Sequence, residues 1–221
     1  MLPALAHINA WIFDLDNTLY PASADLFGQI DKRMTAFVAR ALNLPHPQAY
    51  ATQKRFFQEH GTTLSGLMRE HDVDPHAFLA DVHAIELDVI AEDARLARLI
   101  AALPGRKLVF TNGDEPYARR VLARLGLSDT FEAVHDIHAC AYLPKPDPAA
   151  YAGFCAATGV DPTRACFVED MARNLKPAKA IGMATVWIDN GSEQGADPDR
   201  GYVDFTIADL GDWLHSILED A

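Results

Sequence analysis

Short apolar runs predict four β-strands in this chain. They lie at residues 8–13, 107–110, 165–168 and 184–188. The first run ends abruptly in acidic residues, as expected of a buried strand with functional groups at its carboxyl end. Helical periodicity appears between the later runs, at residues 116–125, 148–158 and 171–181. Strands that alternate with helices of this length predict an α/β fold with a parallel sheet covered on both faces.

Residues 20–100 break this alternation. Apolar residues recur there at helical spacing, and no strand signal interrupts them. The predicted helices lie at residues 24–42, 47–60, 64–71, 75–87 and 93–103. An all-helical block after the first strand predicts a second, smaller domain inserted into the α/β core. We place the core at residues 1–19 and 95–221 and the helical insertion at residues 20–94.

Length and charge narrow the range of functions. The chain has 221 residues and a formal net charge of −12. A field of that sign repels nucleic-acid backbones and anionic membrane surfaces, so neither is an expected partner. It also repels a phosphorylated substrate, unless a metal ion or a few cations reverse the potential locally. A phosphate site in this chain should therefore contain both.

Nothing in the sequence predicts export. The three cysteines form no CxxC pair and are expected to be reduced thiols. Residues 1–7 carry no Lys or Arg ahead of the apolar stretch, so we expect no signal peptide. No segment approaches the roughly 20 continuous apolar residues of a membrane span. We predict a cytoplasmic protein that is a monomer or a homodimer.

Two acids follow the first predicted strand. Asp14 and Asp16 belong to the segment Asp14-Leu15-Asp16-Asn17-Thr18, and alternate side chains of an extended chain lie on the same side. Ligands of open α/β sheets bind beyond the carboxyl ends of the strands. Carboxylates this close repel each other unless a cation intervenes, and Mg²⁺ is a hard ion that prefers oxygen ligands. The alternative is a pair of ordinary surface acids.

Three later segments supply further parts of a phosphate site. Thr111-Asn112-Gly113 offers a hydroxyl, an amide and backbone N–H groups to phosphate oxygens, or forms an ordinary turn. Lys145, between two prolines, is a positioned point charge or a solvated lysine. Glu169-Asp170 completes a metal site or favours the N-terminus of the next helix. Together, the four segments predict a phosphoryl-transfer site.

These motifs resemble, in order, those of the haloacid dehalogenase superfamily. The match consists of Asp14-Leu15-Asp16-Asn17-Thr18, Thr111-Asn112, Lys145-Pro146 and Glu169-Asp170. The resemblance implies a Rossmann-like parallel-sheet core with an inserted all-helical cap domain. Further resemblance to the pyrimidine 5′-nucleotidase-like branch is carried by residues 14–21, 61–67, 110–114 and 170–175. That branch implies hydrolysis of UMP or CMP, although other small phosphate esters stay open as substrates.

The resemblance also implies roles for the acids. Asp14 is the nucleophile that forms an aspartyl-phosphate, and Asp16 serves as general acid and then general base. Mg²⁺ is held by Asp14, by the backbone carbonyl of Asp16 and by an acid of the last motif. Of Glu169 and Asp170, we expect Asp170 to be the direct ligand. Thr18 is expected to brace the loop.

Phosphate contacts follow from the same resemblance. Lys145 and Thr111 hold the transferring phosphoryl group, and Asn112 and Gly113 are further phosphate contacts. Many members of the superfamily carry a second Asp where this chain has Asn174. An uncharged amide there can still orient a metal-bound water.

Polar residues of the insertion are candidates for contacts with the leaving group. Thr63 and Arg69, together with Thr62 and His71, lie near the glycines that interrupt the helical pattern. Such residues select the leaving group once the cap closes over the site. The alternative is that they are helix caps and part of a solvated face.

Three rival functions stay open at this point. A dehalogenase uses the same nucleophile, but halide leaves without a proton, so Asp16 argues against it. A phosphatase for phosphoglycolate or a sugar phosphate has the same motif chemistry. A non-enzymatic phosphate receiver also gathers acids, a Thr and a Lys around a metal, but Asp16 would promote hydrolysis of its phosphate. The sequence therefore predicts a Mg²⁺-dependent phosphatase with a small phosphate ester as substrate.

Overall fold

The fold is that of a computed structural model, which describes residues 2–192 and 199–219. Its centre is a parallel sheet with the strand order β3-β2-β1-β4-β5-β6. The strands are β1 (Ala10–Phe13), β2 (Arg106–Phe110), β3 (Ala133–His135), β4 (Ala165–Glu169), β5 (Ala184–Ile188) and β6 (Phe205–Ile207). The predicted α/β fold with a Rossmann-like parallel sheet is confirmed.

Nine α-helices accompany the strands within the described residues. They are α1 (Leu26–Leu42), α2 (His46–His60), α3 (Thr63–His71), α4 (Pro75–Val82), α5 (Ala94–Ala102), α6 (Glu115–Arg124), α7 (Pro148–Thr158), α8 (Ala172–Ala180) and α9 (Leu210–Glu219). None of these helices is both long enough and apolar enough to cross a membrane.

Apolar side chains cover both faces of the sheet. Along β1, Trp11 and Phe13 belong to one buried cluster, whereas Ala10 and Ile12 belong to the other. None of the four is more than 1% exposed. The alternation follows from the two-residue period of a strand, and a strand buried on both faces is apolar throughout.

The strand order places β1 at the centre of the sheet. β2 and β3 extend the sheet on one side of β1, and β4, β5 and β6 extend it on the other. In such sheets the ligand crevice lies outside the carboxyl ends of the strands, at the point where the order reverses. Asp14 directly follows β1, and its N–H donates to the carbonyl oxygen of Val168 in β4 at 3.0 Å. The sheet therefore fixes the backbone of the first acid.

Helices α1 to α4, which we call the cap helices, lie between β1 and β2 in the chain. Helix α1 packs against α2 and α4. Arg33 and Arg40 of α1 both form ion pairs with Asp81 of α4, at 3.2 and 2.5 Å. These contacts join the cap helices to one another. The division of the chain into a core and a cap domain, with the boundaries given above, stays a prediction.

The structure differs from the sequence-based prediction at four elements. Strands β3 and β6 were not predicted: each has three residues, lies at an edge of the sheet and is partly exposed. Helix α9 was not predicted either. Helix α4 ends at Val82, so the predicted end at residue 87 is wrong. Arg120 of α6 donates to the carbonyl oxygens of His83 and Ile85 at 2.9 and 2.8 Å, and thereby holds the segment after α4 in a non-helical path.

Candidate active site

Asp14 lies at the centre of a buried group of charges at the carboxyl end of β1. Its side chain is 8% exposed. Oδ1 accepts a hydrogen bond from Nζ of Lys145 at 2.7 Å, and Oδ2 accepts one from the hydroxyl of Thr18 at 3.2 Å. Protein donors therefore orient both carboxylate oxygens, and one of the donors is charged.

Lys145 is the buried cation of this group, with a side chain that is 1% exposed. Besides Asp14, Nζ donates to Oε1 of Glu169 at 3.0 Å and to the carbonyl oxygen of Phe110 at 2.8 Å. A lysine ammonium has three N–H groups, and all three are used. The side-chain amide of Asn112 accepts from the backbone N–H of Lys145 at 2.8 Å and donates to its carbonyl oxygen at 3.1 Å. Both the backbone and the ammonium of Lys145 are therefore fixed.

Acidic charge exceeds basic charge in this group. Carboxylate oxygens of Asp14, Glu169 and Asp170 lie within 4.8 Å of one another. Burial raises the pKa of Asp14 to about 7; Lys145 opposes the rise, and the charge of Glu169 adds to it. Burial also holds the pKa of Asp170 well above its ordinary value, again with a contribution from Glu169. One lysine does not neutralise three carboxylates, so the group is suited to a divalent cation.

Glu169 and Asp170 differ in how many of their carboxylate oxygens accept hydrogen bonds from the protein. Both oxygens of Glu169 accept hydrogen bonds, Oε1 from the amide of Asn174 at 2.5 Å and Oε2 from the N–H of Met171 at 2.6 Å. Burial opposes ionisation of Glu169, but Lys145, a side-chain contact with Asp170 and these donors outweigh it and lower its pKa. Asp170, by contrast, accepts side-chain hydrogen bonds at Oδ2 only, within the described residues. Asp170 is thus the better placed of the two to bind an ion directly.

Asn174 supplies a further oxygen beside the acids. Its Oδ1 is buried and has no hydrogen-bond partner among the residues that the structure describes. Buried polar atoms without a partner are uncommon, and an ion or its water is one explanation for them. Asp14, Asp170 and this amide offer oxygen atoms alone, which is the ligand chemistry that Mg²⁺ prefers. The residues present therefore fit a magnesium ion.

Asp16 lines the same cavity as Asp14. Its Oδ1 accepts hydrogen bonds from the hydroxyls of Tyr20 at 2.6 Å and Tyr117 at 2.7 Å. Burial and the charge of Asp16 raise the pKa of both tyrosines well above the ordinary value, so both stay protonated as donors. Directly after Asp16, Asn17 has a φ of 59°, a left-handed conformation that Asn adopts more readily than most residues. The chain turns there and leaves the sheet.

His83, directly after α4, contacts Tyr117, a residue that donates to Asp16. Its ring stacks on that of Tyr117 with a centroid separation of 4.3 Å, and its Nδ1 lies 2.9 Å from Oδ1 of Asp114. Burial opposes ionisation of Asp114, but the contact with His83 outweighs it and lowers the pKa of Asp114. His83 is buried and lines the cavity. Tyr20 lies within residues 14–21 but was assigned no role from the sequence, and Tyr117 and His83 belong to no motif at a strand end.

The segment after β2 also borders the cavity. Thr111 is 1% exposed, and its hydroxyl oxygen accepts a hydrogen bond from the N–H of Gly113 at 3.0 Å. The O–H proton of Thr111 is therefore free to be donated to a bound oxygen. The side chain of Asn112 is hydrogen-bonded to the backbone of Lys145. Phosphate contacts by Asn112 and Gly113 stay predictions.

The cap residues that were predicted to contact the leaving group separate into two sets. Thr62 and Thr63 line the cavity of Asp14. Arg69 lines a different cleft. His71 packs edge-to-face against Phe56, with ring centroids 5.8 Å apart. The structure thus brings Thr63 to the cavity and leaves Arg69 outside it, and a substrate contact by either residue stays a prediction.

A second group of possible metal ligands lies on the surface of the cap helices. Glu59, His60 and Glu70 place ligand atoms within 4.8 Å of one another. Arg55 donates to both carboxylate oxygens of Glu70, at 2.9 and 2.8 Å, and this contact lowers the pKa of Glu70 to about 2. Ion pairs between exposed side chains account for the group, so we do not regard it as a metal site.

Comparison with known proteins identifies a family and several relatives. The family model described as haloacid dehalogenase-like hydrolase matches residues 8–182. Phosphate metabolism protein 8 of Saccharomyces cerevisiae is 25% identical over 193 residues, which are 80% of this chain and 60% of the yeast protein. The chain thus spans less than two thirds of that relative. A phosphoglycolate phosphatase of Pseudomonas putida is 26% identical over 217 residues, which are 90% of this chain and 76% of that protein.

Solved structures share the fold at lower identity. A phosphatase of the same superfamily from Thermococcus onnurineus is 20% identical, with a TM-score of 0.62 over 96% of this chain and 98% of that one. An L-2-haloacid dehalogenase from Xanthobacter autotrophicus is 19% identical, with a TM-score of 0.57 over 97% of this chain and 100% of that one. The fold thus occurs with both chemistries and does not choose between them.

Proposed function

This chain belongs to the haloacid dehalogenase-like hydrolases, and we propose that it is a Mg²⁺-dependent phosphatase that uses Asp14 as its nucleophile. The superfamily predicted from the motifs is thereby confirmed. The observation that carries the proposal is the position of Asp16, which lines the same cavity as the Asp14–Lys145 pair. A leaving alkoxide needs a proton and a leaving halide does not, so a second carboxylate supports phosphate-ester chemistry.

In the first half of the proposed reaction, Asp14 is phosphorylated. A carboxylate oxygen of Asp14 attacks phosphorus, the bond between phosphorus and the leaving oxygen breaks, and Asp16 gives its proton to that oxygen. Lys145 holds the nucleophile and Thr111 donates to the phosphoryl group. Positioned charges and donors of this kind supply most of the catalysis in phosphoryl transfer.

In the second half, the aspartyl-phosphate is hydrolysed. Asp16, now a carboxylate, takes a proton from a water molecule, and the water oxygen attacks phosphorus. The bond between phosphorus and Asp14 breaks, which releases inorganic phosphate and restores both carboxyl groups to their starting states. Asp16 thus acts once as acid and once as base.

Asp14, Asp170 and the backbone carbonyl of Asp16 are the proposed ligands of Mg²⁺, with Asn174 beside them. When bound, the ion supplies positive charge that offsets the clustered carboxylates and the charge of the phosphoryl group. The excess of buried acid, the availability of Asp170 and the unpartnered oxygen of Asn174 support this assignment.

A pyrimidine nucleoside 5′-monophosphate, UMP or CMP, is the proposed substrate. The motif resemblance to the pyrimidine 5′-nucleotidase-like branch supports it. A second candidate is a smaller phosphate ester such as phosphoglycolate, which is supported by the similarity to the Pseudomonas putida enzyme over 90% of this chain.

Phosphate release from a panel of esters tests the function. The panel holds UMP, CMP, phosphoglycolate, fructose 1-phosphate and p-nitrophenyl phosphate, each with Mg²⁺ and with EDTA. We expect many phosphates per protein molecule, and loss of turnover with EDTA and in Asp14→Asn. Normal turnover by Asp14→Asn would show that another group is the nucleophile. One phosphate retained per protein would indicate a receiver domain, and chloride release from 2-chloropropionate would indicate a dehalogenase.

A further inference from the structure

The cavity that holds Asp14 extends away from the sheet between the cap helices. It has a volume of about 170 Å³. The part formed by the cap helices is lined mainly by apolar side chains, among them the aromatic rings of Phe27, Phe57 and Phe78. Small-molecule sites are typically apolar pockets with a few placed polar groups. A leaving group bound here meets mainly apolar and aromatic side chains.

Among the polar side chains in the lining are Asp31 of α1, and Gln53 and Lys54 of α2. Oδ1 of Asp31 accepts hydrogen bonds from Nζ of Lys54 and from Nε2 of Gln53, both at 2.7 Å. Gln53 is 2% exposed, and its Oε1 accepts a hydrogen bond from the buried hydroxyl of Thr35. A buried chain of hydrogen bonds therefore fixes the carboxylate before any ligand arrives.

The ion pair of Asp31 and Lys54, which we call the cap ion pair, has an acceptor and donors that form no hydrogen bond to the described residues. Both donors to Asp31 reach Oδ1, and Oδ2 accepts no hydrogen bond within the described part of the chain. Lys54 uses one of its three N–H groups in the pair. Both side chains are partly exposed, at 27% and 30%. The cavity thus offers an acceptor and a donor side by side.

This arrangement favours one class of leaving group over others. The charges of the cap ion pair cancel, so the pair favours a neutral leaving group that offers both a donor and an acceptor. A neutral ring with a donor next to an acceptor complements the pair. Uracil has N3–H beside a carbonyl, and cytosine has an exocyclic amine beside a ring nitrogen. Both rings are also aromatic and can pack against the phenylalanine side chains of the lining.

We propose that the cap ion pair binds the hydrogen-bonding edge of a nucleobase in the leaving group, with Asp31 as acceptor and Lys54 as donor. The proposal rests on the proposed function, because the base belongs to a substrate whose phosphate lies at Asp14. It assigns leaving-group selection to two residues outside all of the strand-end motifs. Sites built to hydrogen-bond a substrate group discriminate strongly against analogues that lack it.

Selectivity between UMP and ribose 5-phosphate tests the proposal. The two esters share the phosphate and the pentose, and only UMP carries a base. For the wild type we expect a higher kcat/KM with UMP than with ribose 5-phosphate. In Lys54→Met and in Asp31→Asn, we expect this ratio to fall by about ten-fold or more, as for loss of a hydrogen bond to a charged group. Arg40→Met is the matched control, since it removes a cap cation whose partner, Asp81, lies outside the cavity.

A second measurement, inhibition by uridine, reports binding of the base separately from the ratio between the two esters. Uridine should inhibit wild-type hydrolysis of ribose 5-phosphate competitively, with an inhibition constant about ten-fold weaker or more in Lys54→Met. Equal losses with both esters, or an unchanged ratio in both variants, would overturn the proposal while leaving the phosphatase intact. A wild type that does not distinguish the two esters would overturn it as well. Failure of the proposed function has a different signature: no Mg²⁺-dependent phosphate release from either ester.

Discussion

The phenol hydroxyl of Tyr117 donates a hydrogen bond of 2.7 Å to Oδ1 of Asp16. Tyr117 belongs to α6 of the core, and its ring is stacked on His83 at the end of the cap helices. The contact therefore fixes the proposed acid and base from outside its own loop. Two residues that are about a hundred positions apart in the sequence become one functional unit.

Tyr117→Phe should slow the protonation of the leaving group. The substitution removes the hydroxyl and keeps the ring that stacks on His83. We expect kcat with UMP to fall by about ten-fold or more, since a hydrogen bond to a charged group is lost. With p-nitrophenyl phosphate, whose leaving group needs no proton, the loss should be much smaller. Steady-state kinetics with both esters checks this.

Tyr142→Phe is the control for that prediction. Its hydroxyl contacts His138 at 3.0 Å and His76 at 3.3 Å and lies outside the cavity. Equal loss with both esters in Tyr117→Phe would point to a disturbed fold rather than to an effect on Asp16.

Lys145→Met should cost both activity and stability. The ammonium is buried between Asp14 and Glu169, and removing one partner of a buried ion pair leaves an uncompensated charge. We expect the free energy of unfolding to fall by about 3–5 kcal/mol and turnover to be lost. Urea denaturation and phosphate release measure the two effects.

Lys179→Met provides the matched comparison. Lys179 pairs with Asp204 at the surface, where its side chain is 39% exposed. An exposed pair is worth about 0–1 kcal/mol, so this variant should unfold close to the wild type. A cost as small in Lys145→Met as in Lys179→Met would contradict the assigned burial.

Asp170→Asn should remove the stabilisation that Mg²⁺ confers. An ion that binds only the folded state raises the melting temperature, on the order of 5–10 °C at a hundred-fold excess over Kd. We expect differential scanning fluorimetry to show this rise for the wild type and not for Asp170→Asn. Glu70→Gln, in the exposed acidic group of the cap helices, should respond like the wild type. A full response in Asp170→Asn would exclude Asp170 as the ligand.

Asp204 should make stability depend on pH in acid. Burial opposes its ionisation, but hydrogen bonds from Lys179 and from the N–H and hydroxyl of Thr185 outweigh that effect and lower its pKa below 3.8. A lowered folded-state pKa contributes stability that is complete above the unfolded value and is lost as pH falls through the folded value. The free energy of unfolding of the wild type should thus exceed that of Asp204→Asn by about 1 kcal/mol at pH 7 and at pH 5.

The difference should shrink below about pH 4 as Asp204 takes up its proton. Urea denaturation at three pH values measures it. Asp129→Asn, at an exposed position, should match the wild type throughout. A difference that grows as the solution is acidified would refute the assigned direction of the pKa shift.

The parts of the site that lie at strand ends could be predicted from the sequence. Asp14, Lys145 and Asp170 converge because the carboxyl ends of parallel strands, and the loops beside them, meet at one edge of a sheet. The preference for Asp170 over Glu169 was expected from the resemblance, but its structural reason could not be predicted, because it depends on which oxygens of Glu169 are bonded to Asn174 and to the backbone of Met171.

Contacts between segments that are distant in the chain could not be predicted from the sequence pattern. The hydrogen bond from Tyr117 to Asp16, the stack on His83 and the cap ion pair join distant segments, and no periodicity marks them. Strands β3 and β6 are too short and too exposed to give an apolar run. Helix α9, by contrast, has a signal in the sequence, because Leu210, Leu214 and Ile217 recur at helical spacing. The cytoplasmic location and the monomer or homodimer state stay predictions.

The central position of β1 affects the order in which parts of the protein unfold under heat or denaturant. Backbone that is hydrogen-bonded on both sides and buried on both faces opens last, whereas peripheral helices open at a lower free energy. Asp14, the proposed nucleophile, is attached to the first kind of structure, and Asp31 and Lys54 belong to the second. Mild heat or denaturant should therefore reduce the selectivity between leaving groups before it stops phosphate release. The enzyme should become promiscuous before it becomes inactive.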